Sequence, residues 1–175
     1  MQGSDTSARG YGRMTIYINP ATLAGMLQQA ESQYPEESCG FILGSVGVNG
    51  GSVVTEGSVV TEDTAVGAYY YPCNNTNTMY RERRFLIDPD VYLEVEDSAE
   101  AEGMSIIGIV HSHPDHPAQP SEFDRLHAWP GISYIIISVH KGHVKSYRSW
   151  RLSDNRNRFD QETLHVEGDH HESHH

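Results

Sequence analysis

The spacing of apolar residues changes repeatedly along the chain, and each change marks an element. In "MTIYINP", Thr15, Tyr17 and Asn19 alternate with Ile16 and Ile18, a short strand pattern that halts at Pro20. Pro20 also suits the first turn of a helix capped by Asn19, and Leu23, Met26, Leu27 and Ala30 recur at helical spacing, predicting a helix over 21–34. "YPEESCGFILG" then leads an acid pair through Cys39 and Gly40 into an apolar strand that stops at Gly44, so both glutamates sit at a strand entrance. The hexamer "GSVVTE" occurs in tandem at 51–56 and 57–62 and reads as hairpin material without chemistry. "AVGAYYYPCNN" predicts a strand ending at Pro72, with Asn74 and Asn75 at its mouth. From Pro89, the residues Val91, Leu93, Val95 and Ala99 among many acids predict an amphipathic helix ended by Gly103. "MSIIGIV" and "ISYIIISV" are continuous apolar runs, the pattern of central strands covered on both faces, and "KGHVKSYRSWRL" follows as a hairpin partner.

A chain of 175 residues with this spacing suits one domain with a sizeable core. Residues 1–13 are small and polar without periodicity and read as a disordered arm, the domain spans 14–158, and 159–175 reads as a polar tail. Five of the eleven histidines lie from His165 onward; a solvated tail or appended remnant explains them better than a fixed metal site. The net charge of −12 argues against nucleic acid or an anionic membrane surface as partner, and no basic cluster exceeds "RERR" at 81–84. The first residues lack the apolar core of a secretory signal and no run approaches membrane-spanning length, so a cytoplasmic address is expected. Cys39 and Cys73 read as two reduced, largely buried thiols. Oligomeric state is not legible.

One stretch resists a purely structural reading. "HSHPDHPAQPSEFD" packs three histidines, three prolines and three acids into 111–124, directly after an apolar strand. Residues two apart on a strand share a face, so His111 and His113 can point at one ion. Asp124 supplies a third ligand if "SEFDRLHAW" opens a helix. Two imidazoles and a carboxylate leave one corner of a tetrahedral zinc open, the arrangement of a catalytic site. The structural alternative is that Ser121 and Asp124 form a capping box and the histidines are strand-end residues. A hydrolytic zinc also needs a general base, and Glu37 or Glu36 at the neighbouring strand entrance is the candidate. Ser121 could further donate to an oxyanion. No H-E-x-x-H, zinc-deaminase or G-x-S-x-G pattern is present. His116 reads as a loop residue, His127 and Trp129 as packing residues at the helix end, and Asn74 and Asn75 as candidates to line a substrate groove.

These residues resemble the signature of the JAMM, or MPN-plus, metalloisopeptidases: an upstream glutamate, H-x-H-P, a serine with seven residues between it and the second histidine, and an aspartate three beyond that serine. Here those are Glu37, His111, His113, Pro114, Ser121 and Asp124. "PEESCG" is similar to the family's P-x-E-x-C-G and selects Glu37 over Glu36. The likeness extends over about 14–158 and is strongest to small standalone prokaryotic members. It implies an α/β (mixed α+β) MPN domain, a mixed central sheet flanked by helices and similar in outline to cytidine deaminases. It implies one zinc held by His111, His113 and Asp124, proton transfer by Glu37, and support of the tetrahedral intermediate by Ser121. The implied substrate is an amide or isopeptide bond after the C-terminal Gly-Gly of a ubiquitin-like or sulfur-carrier β-grasp protein. The competing expectations are a non-catalytic scaffold of the same fold and a peptidase acting on other short peptides, such as cell-wall or phage-assembly substrates.

Overall fold

The computed structural model describes residues 15–47, 53–55, 58–60 and 64–168. The expected N-terminal arm and the last seven residues of the expected tail lie outside the described residues. The elements run β1 (Thr15–Ile18), α1 (Pro20–Gln33), β2 (Cys39–Val46), β3 (Val53–Thr55), β4 (Ser58–Val60) and β5 (Thr64–Cys73). They continue through α2 (Pro89–Ala101), β6 (Ser105–Pro114), α3 (Glu122–His127), β7 (Ser133–His140), β8 (His143–Leu152) and β9 (Phe159–Val166).

Local chemistry explains the helix starts. Asn19 caps α1, its side chain accepting from the Thr22 amide at 2.8 Å, and Pro20 fills the first turn, where no amide proton is needed. Asp88 and Pro89 repeat the device at α2. Gly103, at φ +74°, lets the chain turn away after α2.

Seven strands form one mixed sheet in the order β1-β5-β2-β6-β7-β8-β9. It curls until β9 meets β1 in parallel, so that the sheet closes on itself. β1 and β5, and β6 and β7, are also parallel; the remaining pairs are antiparallel. The duplicated hexamers form the separate antiparallel pair β3–β4.

Alternation along the central strands sends side chains into two cores. Ile42, Ile107, Val110, Ile135, Ile137 and Val139 pack with Met26 and Ala30 of α1. Phe41, Leu43, Ile109 and Tyr134 pack on the opposite face with Val95 and Ala99 of α2. Both central runs are thus buried on both sides, as their composition demands.

A bulge in β6 governs which face the end of that strand presents. Ile42 pairs with Gly108 and Leu43 with Ile106, leaving Ile107 as the extra residue. Ile106 packs toward α2 and Ile107 toward α1, and the α2-side row resumes at Ile109 and runs on to His111. A second bulge at Ala68 of β5 frees a carbonyl that Asn19 and Thr22 of α1 satisfy at 3.1 and 3.2 Å.

Two expectations change. Residues 159–166 form β9 and complete the sheet, so the ordered chain runs past the boundary at 158, and His165 lies in that strand with its ring against Tyr17. Leu93 is 56% exposed; α2 meets the sheet through Val95, Ala99 and the neighbouring Val91 and Tyr92. Cys39 and Cys73 are free, buried and directly opposite each other across β2 and β5, and burial pushes their thiols up to about 12 and about 11. Among the described residues, no helix is long and apolar enough to cross a membrane.

Candidate metal centre

β6 continues through "HSHP", so His111 and His113 are true strand residues on one face. Their Nε2 atoms lie 3.2 Å apart. Asp124, on the first turn of α3, brings Oδ1 to 3.4 Å from His111 Nε2 and Oδ2 to 3.2 Å from His113 Nε2. A four-coordinate ion with ligands at about 2.0–2.1 Å has ligand-to-ligand edges of about 3.3–3.4 Å; the two imidazole nitrogens stand close to that distance from each other, and each imidazole stands close to it from one oxygen of the carboxylate.

The protonation pattern makes the same point. His113 Nδ1 lies 2.9 Å from the Pro117 carbonyl, which can only accept, so Nδ1 carries a proton and the neutral ring aims a lone pair from Nε2. That lone pair, the His111 nitrogen and a carboxylate oxygen face one another in a buried space, an arrangement that calls for a positive charge between them. Accordingly the His113 pKa is raised: burial opposes the shift, but the Asp124 carboxylate overcomes it. Asp124 is held well below the usual carboxylate range; burial opposes this, and His111, His113 and the Ser121 amide outweigh it. His111 is wholly buried, and that burial lowers its pKa. Its ring is stacked on Phe85 at 4.6 Å.

The capping box exists in full: the Ser121 hydroxyl accepts from the Asp124 amide at 3.0 Å, and the Ser121 amide donates to Asp124 Oδ2 at 2.8 Å. Structural and chemical readings of these two residues therefore coincide, because the cap is what aims the carboxylate. The cap uses the hydroxyl as an acceptor and leaves its proton free.

Glu37 and Glu36 separate clearly. Glu36 is exposed and reaches Arg81 at 4.0 Å. Glu37 is buried, with Oε2 lacking any partner among the described residues. Burial pushes its carboxyl up to about 8, against the pull of His113 and with the push of Asp124. Its position follows from pairing: Cys39 lies opposite His111, and Ser38 extends the ladder by donating to the Ser112 hydroxyl at 2.7 Å and accepting from the Ser112 amide at 3.1 Å.

Asn75 has a role that its expected place in a groove did not suggest. Its side-chain amide donates to the carbonyls of Glu37 and Arg84 at 3.1 and 3.0 Å, and its oxygen accepts from the amides of Asn77 and Leu86. It thereby fastens the loop over 76–86 to the backbone of Glu37. Asn74 is exposed. His116 is a loop residue whose carbonyl accepts from Ser138 at 2.7 Å. His127 stacks on Phe123 at 4.0 Å, whereas Trp129 is 51% exposed and only edges against Tyr92. Phe85, Ser112 and the Pro117 carbonyl carry no signal along the chain, because their parts depend on tertiary neighbours.

A mixed sheet between two helices, with histidines two apart on a central strand and a capped aspartate facing them, defines an MPN-type domain. The chain belongs to the family described as prokaryotic homologs of the JAB domain, which matches residues 20–153. It is 32% identical over 104 residues to a tail tip assembly protein K of Escherichia phage N15, covering 59% of this chain and 32% of that one. It is 35% identical over 72 residues to a desampylase of Pyrococcus furiosus, covering 40% of this chain and 48% of that one. A Thermus thermophilus protein described as a "probable TtuB-protein conjugate cleaving protease" matches at 40% over 55 residues, 31% of this chain and 37% of that one. The chain thus spans half or less of the length of these relatives. Among solved structures, a Desulfitobacterium hafniense protein superposes with a TM-score of 0.69 at 27% identity, covering 91% of this chain and 99% of that one.

Proposed function

We propose that the protein is a zinc metallopeptidase that hydrolyses the amide or isopeptide bond following the C-terminal Gly-Gly of a ubiquitin-like or sulfur-carrier protein. The observation that carries this reading is the convergence of two imidazole nitrogens and a carboxylate close enough to hold one ion, beside a buried carboxyl group with an unpartnered oxygen. The relatives named for cleaving conjugates support the substrate class.

His111, His113 and Asp124 would hold one zinc per chain, which when bound supplies Lewis acidity toward water and toward a carbonyl oxygen. Glu37 takes a proton from the attacking water and passes it to the departing amine, so that a C–O bond forms and the C–N bond breaks. Burial lifts this carboxyl to about 8 in the metal-free protein, and a bound cation would draw it down toward neutrality, where accepting and returning a proton are both easy. Ser121 keeps Asp124 aimed and offers its free hydroxyl proton to the developing oxyanion. An extended Gly-Gly tail enters as an added strand and brings no side-chain bulk to the ion. A cytoplasmic address goes with this reading, since Cys39 and Cys73 are then kept reduced.

A second reading, in which the bond lies in another short peptide such as a phage-assembly substrate, goes with the tail tip assembly relative, whose match is the longest of the three. The two are separated by offering β-grasp proteins extended beyond Gly-Gly, and unrelated peptides, to protein lacking residues 169–175 and loaded with one equivalent of zinc. Cleavage of the Gly-Gly fusions that stops on chelation is expected. Glu37→Gln should retain the metal and lose turnover by roughly a hundredfold or more. Intact fusions under conditions where another family member cuts them would remove the substrate assignment, and protein that retains no zinc would favour a scaffold.

A further inference from the structure

We infer that Arg84 forms a carboxylate-binding subsite on the rim of the candidate metal centre, selecting substrates that carry a free carboxylate beside the scissile bond. The word substrate rests on the hydrolase reading; the subsite itself does not.

Although the chain carries a net charge of −12, it places Arg81, Arg83 and Arg84 within four residues, on the loop that Asn75 fastens against Glu37. These arginines are not equivalent. Arg81 is engaged by the Asn77 carbonyl at 2.7 Å and by Glu36. Arg83 is exposed, above one face of Tyr80. Arg84 is half-buried, its guanidinium 4.8 Å from the Tyr80 ring centre and 4.4 Å from that of Phe123. Among the described residues its guanidinium makes no ion pair and no hydrogen bond. Arg125, Arg151 and Arg158, in contrast, each hold a carboxylate.

Ring contacts of this kind occupy the π faces of a guanidinium and leave its N–H donors, which lie in the plane, pointing outward. Two rings also fix the side chain, so little rotamer freedom remains to be lost on binding. A partly desolvated cation with its fork of donors unspent suits a carboxylate, which it can grip through two parallel hydrogen bonds.

Three ties place Arg84 at the site. Phe85, the next residue, stacks on His111; Phe123, beneath the guanidinium, precedes Asp124; and the Asn75 amide that bonds the Arg84 carbonyl also bonds that of Glu37. A carboxylate at this point has two sources. It is either the α-carboxylate of a departing amino acid or short peptide, or an acidic side chain of the partner next to the bond. A leaving lysine within an intact protein offers only the second.

The test measures binding before turnover. Acetyl-Gly-Gly-Ala with a free C-terminus, its C-terminal amide, and acetyl-Gly-Gly-Glu-amide are titrated into the zinc-loaded full chain and again after chelation. The Arg84 Nε–H resonance is followed, assigned by its loss in Arg84→Gln. The free acid should shift that resonance and bind roughly tenfold to a hundredfold more tightly than its amide, with or without metal. Arg84→Gln should abolish the preference and Arg84→Lys, a point charge without the fork, should keep part of it. Equal affinity for acid and amide, a preference that survives Arg84→Gln, or absence of binding by all three peptides overturns the subsite. A glutamyl amide that matches the free acid identifies a partner side chain as the source. If the acid binds through Arg84 yet no Gly-Gly fusion is cleaved, the hydrolase reading fails while the subsite stands.

Discussion

Replacing Glu37 by Gln should make the metal-free protein more stable at alkaline pH. Burial raises the Glu37 carboxyl from its ordinary value near 4.5 to about 8. A group whose pKa is higher in the folded than in the unfolded chain contributes stability that is fully present below the unfolded value and is lost as pH rises through the folded one. The window is therefore about 4.5 to about 8. At about 1.4 kcal/mol for each factor of ten in proton affinity, wild type should lose up to ~5 kcal/mol across it from this residue alone. Gln does not titrate, so the difference between the two proteins carries the Glu37 contribution together with the loss of its coupling to His113 and Asp124, while distant ionisations cancel. Urea unfolding of chelator-treated proteins should give stabilities within ~1 kcal/mol at pH 5, where Glu37 is neutral in the fold, and a clear advantage for Gln at pH 9. A difference independent of pH, or a less stable Gln variant at pH 9, would refute the assignment of Glu37 as a buried, uncompensated acid. Its catalytic loss and its stability gain would share one cause.

Zinc at a hundredfold excess over its dissociation constant should stabilise protein lacking residues 169–175 by about 2.7 kcal/mol in a thermal or urea melt, and His113→Ala should abolish most of that gain. Asn75→Ala removes hydrogen bonds to Glu37, Arg84, Asn77 and Leu86; about 2–4 kcal/mol of stability should go, with faster hydrogen exchange at the Leu86 and Asn77 amides. Gly44→Ala would put a methyl group 1.9 Å from the Val66 carbonyl oxygen, so strands β2 and β5 must part; a loss on the order of 3 kcal/mol or more, measured by urea unfolding, is expected.

Much of the site was written locally. The strand period put His111 and His113 on one face, and the S-x-x-D spacing announced the cap that aims Asp124. Both are short-range rules, which one sequence can display. Glu37 was different: the acid pair offered Glu37 with Glu36 as its alternative until the family likeness chose between them, and the physical distinction is burial, a tertiary property. β9 escaped for a related reason. Its inward row is Glu162, Leu164 and Val166, and an acid at the head of that row hid the alternation. Glu162 can be buried because Ser149 and Arg151 bond it from β8, partners that no reading of 159–166 alone supplies. Leu93 was placed inward because α2 has apolar residues to spare, and only the angle at which the helix meets the sheet decides which of them is left outside.

The extra residue at Ile107 makes the sidedness of the centre a matter of counting. Deleting that one residue would only restore plain alternation and leave His111 opposite Cys39, whereas inserting one residue between Gly108 and Val110, with the bulge kept, would swing both imidazoles through the sheet into the hydrocarbon around Met26 and Val110, where neither Asp124 nor Glu37 could reach them. Natural variants should therefore tolerate changes of length in the turns of this domain far better than a residue inserted between the bulge and His111, even though nothing in that short stretch needs to touch a ligand.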